Sequence, residues 1–143
     1  MNLEADPLGR FVDAQNSIYS RVTAELAAGH KQSHWMWFIF PQVEGLGTSV
    51  MAQRYAIRSG AEAEAFLAHP VLGPRLLECT RLVLAVRDKS LREILGSPDD
   101  VKFRSCMTLF DAVRPDAEFA MALDRYCDGK RDQATLAFLR RAG

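Results

Sequence analysis

The sequence predicts an all-α fold, a single bundle of about seven helices with short connections spanning residues 1–143. Three observations carry that expectation. Apolar residues recur at three- and four-residue steps through most of the chain, the spacing of a buried helix stripe. Capping residues stand ahead of those stripes, with glycine or proline behind them. The 143 residues suit one hydrophobic core, and they contain no linker, internal repeat or low-complexity tract.

The first stripe is Leu8, Phe11, Val12, Ile18, Tyr19, Val22 and Leu26, with Asp6 to cap it, Pro7 in its first turn and Gly29 to end it. A second helix is expected over Ala61–Ala68, with Ser59 as N-cap and Glu62 completing a capping box. His69-Pro70 ends it, because the residue before a proline is pushed out of the helical region. The next helix begins near Pro74 and is apolar on more than one side through Leu76, Leu77, Thr80, Leu82, Val83, Leu84 and Val86, which makes it central. Ser90 and Glu93 form another capping box for a short helix closed by Gly96. Ser97-Pro98-Asp99-Asp100 then opens a helix carrying Val101, Met107, Leu109, Phe110 and Val113, with its acids at the positive end of the dipole. Asp116 is the expected cap of a helix with Phe119, Met121, Leu123 and Tyr126. Asp132 caps the last one, with Leu136 and Leu139 inward and Arg140 and Arg141 at its C-terminus.

One segment breaks the pattern. His34-Trp35-Met36-Trp37-Phe38-Ile39-Phe40-Pro41-Gln42 holds both tryptophans and two phenylalanines, with neither helical nor alternating periodicity. Two readings stand side by side: a plug filling the core, or the wall of a ligand pocket in which His34, Gln42 and Glu44 supply aimed polar groups. Gly45 and Gly47 let the backbone bend and approach a ligand, and Thr48 or Ser49 stands where a helical run over about Val50–Arg58 begins. An anion at those free N–H groups and an ordinary N-cap both fit; the lysine of a phosphate-binding Walker loop is absent.

The remaining candidates are charged. Arg75 falls in a first helical turn, against the dipole, and so calls for a carboxylate or a bound anion. Asp99, Asp100 and Lys102 cluster at a helix start, where carboxylates serve either as caps or as acid–base groups. His30 and His34 are four apart, but Gly29 breaks the helix that would align them, so no metal site is expected. Cys106 lies mid-helix among apolar residues, where a thiol is inert.

Composition bounds the function. Eighteen basic side chains balance eighteen acidic ones, which excludes capture of nucleic acid or an anionic membrane by bulk charge. No apolar run has the length of a membrane span, and the opening MNLEADPLGR lacks a secretory core. Cys79, Cys106 and Cys127 lack paired spacing and read as reduced thiols of a cytoplasmic protein.

Several blocks also resemble a known family: Lys31-x-Ser33-His34-Trp35-Met36-Trp37-Phe38-Ile39-Phe40-Pro41-Gln42 with Gly45-Leu46-Gly47-x-Ser49, then Tyr55-Ala56-Ile57, His69-Pro70-x-Leu72-Gly73-x-Arg75-Leu76, and Asp99-Asp100-x-Lys102-x-x-Ser105-x-Met107-Thr108-Leu109-Phe110. Together they resemble domain of unknown function 1810, and the likeness spans nearly the whole chain. It implies a compact all-α domain and no transferable activity. The calpastatin-like label attached to such proteins finds no support in these residues. A looser similarity, to helical domains that process NAD- or ADP-ribose-linked compounds, suggests an N-glycosidic or nucleotide-sugar substrate attacked with help from a carboxylate such as Glu44 or Asp99.

The expectation is therefore a small-molecule pocket for an anionic ligand, nucleotide- or ADP-ribose-like, with no cofactor. Trp35, Trp37, Phe40 and Tyr55 would supply aromatic surface, Gln42, Gly45, Gly47 and Ser49 polar contacts, and Arg75 and Lys102 the cations. If there is catalysis, His34, Glu44 and Asp99 are the candidates, His34 first because imidazole titrates near neutrality. The alternative is a helical protein–protein interaction module without catalysis, which would leave the tryptophans on a flat or convex patch.

Overall fold

The computed structural model describes residues 6–142. The first five residues of the opening read for a secretory core therefore lie outside the described residues. Ten helices follow in order: α1 (Gly9–Asn16), α2 (Tyr19–Ala27), α3 (Met36–Ile39), α4 (Val50–Arg54), α5 (Gly60–Ala68), α6 (Leu72–Ala85), α7 (Leu91–Leu95), α8 (Asp99–Val113), α9 (Glu118–Cys127) and α10 (Gln133–Ala142). The described chain is all-helical apart from one isolated parallel bridge between Val43 and Ile57. None of its helices is long and apolar enough to cross a membrane.

Two helices form the middle. α6 packs against α2, α5 and α9, and α8 against α5, α7, α9 and α10. Their buried faces, Leu72, Leu76, Cys79 and Val83 on α6 and Phe103, Cys106, Met107, Leu109 and Phe110 on α8, meet Phe11, Phe66 and Phe119 in one core. Cys79 and Cys106 are buried free thiols and Cys127 is half-buried. Burial pushes the Cys79 thiol up to about 12 and raises Cys106 as well, so both are unreactive packing groups.

Most caps fall where local sequence puts them. Asp6 accepts from Leu8 N–H at 3.0 Å. The Ser59 hydroxyl accepts from Glu62 N–H at 3.0 Å, and Ser90 with Glu93 closes a reciprocal capping box. Gly29 ends α2 with φ +71°. Asp132 accepts from Thr135 N–H and from its hydroxyl.

Several boundaries differ from expectation, each for a tertiary reason. The first stripe is two helices, because Gln15 is 1% exposed and donates its amide to the Phe38 carbonyl, while α2 turns away to pack on α6. α4 stops at Arg54 instead of Arg58, since Ile57 N–H donates to the Gln42 carbonyl and Glu44 N–H to that of Ile57. The aromatic run contains a helical turn, α3. α6 starts two residues before Pro74, at Leu72, capped by His69, whose Nδ1 accepts from Val71 and Leu72 N–H. Glu62 accepts from Arg58 N–H, one residue before the cap, so the Ser59–Glu62 capping box is incomplete. Pro98 and Ala117, not Ser97 and Asp116, flank α8 and α9. On α10, Phe138 joins Leu139 against the core and Leu136 is only half-buried.

Candidate functional site

The site is built around the start of α8 and the segment between α2 and α3. Gly29 turns the chain out of α2, and Glu25, in the last turn of α2, gathers the next residues. Its carboxylate accepts from Gln32 N–H (2.9 Å), Ser33 N–H (3.1 Å), the Ser33 hydroxyl (2.6 Å) and the Trp35 indole N–H (2.9 Å). Burial works to raise the pKa of Glu25. The hydrogen bonds from the Ser33 hydroxyl, Gln32, Trp35 and Ser33 N–H outweigh it and hold the carboxyl down at about 2.

This knot fixes Lys31 and Trp35 side by side. Trp35 is 1% exposed, and the Lys31 ammonium lies 4.9 Å from its ring centroid. Lys31, 6% exposed, pairs with Asp99 of α8 at 2.8 Å. Lys102, one turn further along α8, reaches the same carboxylate at 3.8 Å and stands 5.6 Å from the Trp37 ring centroid. Two ammonium groups thus share one carboxylate, at the positive end of a 15-residue helix. The resulting cleft has a volume of about 230 Å³; His34, Trp37, Asp99 and Lys102 line it, and Trp35 backs it from the core.

Trp37 and Lys102 also border a second hollow with Phe40, Gln42, Gly47 and Tyr55, but it holds only about 10 Å³, the space of a single water. Phe40 is 1% exposed and packs edge-on to Phe103 at 4.9 Å. Tyr55 is buried against Phe38 at 5.3 Å and Phe11 at 5.8 Å. Trp35, Phe40 and Tyr55 are therefore core aromatics, which corrects the expectation of an open aromatic wall. Trp37, half-buried, is the aromatic that reaches solvent.

Glu44, Gly45, Gly47 and Thr48 border a separate hollow of about 510 Å³ with Arg58. Ser49 is the N-cap of α4, accepting from Ala52 N–H at 3.1 Å. Gly47 answers a packing demand: a Cβ there would stand 2.5 Å from that of Ala52. Arg75 lies away from the cleft. It donates to Asn16 Oδ1 (3.0 Å) and Gln15 Oε1 (3.3 Å) and covers the Tyr19 ring at 4.7 Å. The charge placed against the dipole of α6 is thus met by two amide oxygens and an aromatic face. Among the described residues, no group of three or more His, Cys, Asp and Glu side chains is placed to hold a metal.

Sequence reasoning missed Glu25 and gave Lys31 no role. A signal for Glu25 existed: an acid in the last turn of a helix opposes the dipole, as Arg75 does in a first turn, and so calls for donors.

The ten helices of the described residues, with a lysine-flanked carboxylate and a half-buried tryptophan in one cleft, make this a small all-α protein. The family described as "Protein of unknown function (DUF1810)" matches residues 5–139, and the chain belongs to it. It is similar to the conserved hypothetical protein Rv1873 from Mycobacterium tuberculosis, whose crystal structure superposes with a TM-score of 0.91 at 50% identity over 93% of this chain and 96% of that one. None of the curated proteins matches it.

Proposed function

We propose that this protein binds a small anionic molecule in the cleft formed by His34, Trp37, Asp99 and Lys102. One observation carries the reading: two lysines converge on a single carboxylate inside a concavity, leaving the cluster with excess positive charge beside a half-buried indole. Lys31 is committed, 6% exposed and 2.8 Å from Asp99. Lys102 is looser, 29% exposed and 3.8 Å away, and is the cation able to meet an incoming anion. His34 is exposed at the rim, within the same cleft, and would add a donor or take part in proton transfer.

At about 230 Å³ the cleft is smaller than the 300–1,000 Å³ typical of drug-sized ligand sites. It suits a mononucleotide fragment or a small phosphorylated metabolite better than a whole dinucleotide. The interaction-module reading has less support, since Trp35 is 1% exposed and the exposed large apolar residues Val50, Val101 and Met121 do not line the cleft that holds the tryptophans.

Thermal unfolding in increasing inorganic phosphate tests the reading. At a hundred times the dissociation constant the folded state gains about 2.7 kcal/mol, and Lys102→Met should remove that gain. A wild-type protein whose melting temperature ignores phosphate and other small anions overturns the proposal.

A further inference from the structure

Resting on that reading of the cleft, we propose that its anion belongs to a hydroxylated molecule of the sugar-phosphate class, and that Asp99 is the residue selecting it. Lys102 receives an anion only in the company of the Asp99 carboxylate, which lies 3.8 Å from its ammonium. Asp99 is also held in place: Lys31, nearly buried over Trp35, grips it at 2.8 Å. A bare anion at Lys102 therefore meets a fixed negative charge beside the cation, which weakens its binding without cancelling it. A ligand that carries a hydroxyl near its anionic group escapes the conflict. The hydroxyl donates to Asp99 while the anion pairs with Lys102, so each partner of the internal ion pair gains a complementary group.

The third wall fits the same chemistry. Trp37 borders the cleft beside these charges, and an indole offers broad apolar contact to the C–H face of a sugar ring. Carboxylate, ammonium and indole in one small cleft thus match acceptor, cation and apolar surface to a polyol phosphate. A phosphate ester without a hydroxyl, such as methyl phosphate, satisfies only the ammonium.

Calorimetric titration with ribose 5-phosphate, methyl phosphate and inorganic phosphate tests the inference on the full chain. Ribose 5-phosphate should bind about tenfold more tightly than methyl phosphate, the worth of one charge-assisted hydrogen bond. Asp99→Ala should erase that preference while strengthening methyl phosphate, because the competing carboxylate is gone. The wild-type ratio needs no variant and stands even if Asp99→Ala misfolds. Equal affinity of the wild type for the two esters overturns the selectivity and leaves the anion site intact. Binding of none of the three overturns both.

Discussion

Trp35 and Trp37 stand two positions apart and do different work. Trp35 is 1% exposed, its indole N–H held by Glu25 at 2.9 Å. Among the described residues Trp37 has no such partner; it stays half-buried and shares its surroundings with Lys102. The difference shows how a buried tryptophan becomes affordable: the core accepts it once a carboxylate satisfies its donor, and the neighbour without one remains at the surface. The same contrast separates two charged clusters. Around Glu25 four donors converge on one acid and use up its capacity. Around Asp99 one acid faces two ammonium groups and leaves positive charge over. The first cluster builds the fold, and the second faces solvent in a cleft.

The sharpest way to break this comparison is truncation of each tryptophan. Trp35→Ala should cost about 3–5 kcal/mol, the usual penalty for emptying a buried aromatic site. Trp37→Ala should cost far less and instead weaken phosphate binding. Urea unfolding beside anion titration separates the two, and equal destabilisation would refute the division between core and cleft.

Glu25→Ala comes next. It leaves the buried Trp35 N–H without a partner, worth about 1–3 kcal/mol at neutral pH. The pH dependence has a definite sign. The Glu25 carboxyl is lowered from 4.5 to about 2 in the folded state, so its contribution is present above 4.5 and is lost as pH falls toward 2. The stability gap between wild type and variant should accordingly shrink across that window; a gap independent of pH would show that Glu25 acts by packing alone.

A smaller effect is expected at Ser90, whose hydroxyl caps α7 inside a full capping box. Ser90→Ala should lower stability by about 1 kcal/mol in chemical denaturation, with phosphate affinity unchanged. The smallest effect on binding is expected at Arg75. Since its guanidinium is engaged by Asn16 and Gln15, Arg75→Met should leave the phosphate response as it was. A lost response would bring Arg75 back into the site.

The all-helical class, most helix starts and the importance of the segment from Lys31 to Gln42 were legible in the sequence. Caps such as Ser59, Ser90 and Asp132 act on N–H groups three residues away, so short-range spacing reports them faithfully. Helix ends that depend on distant partners were not legible. The carbonyls closing α4 are taken by Arg10 from α1, at 2.8 Å for both Arg54 and Ala56. Those closing α6 are taken by Arg125 from α9, at 2.8 Å for Leu84 and 3.0 Å for Val86.

The candidate site divides along the same line. His34, Trp37, Asp99 and Lys102 were readable as chemically able residues, and the structure puts them in one cleft. Arg75 was equally able and is elsewhere, and Glu25, which arranges the whole corner, stood unremarked. Residue type and local spacing determined which groups carry chemistry and which turns of chain become helix, because those depend on neighbours within about one helical turn. Which of those groups meet was decided by how α2, α3 and α8 cross, and a crossing is set by side-chain packing between segments far apart in the chain.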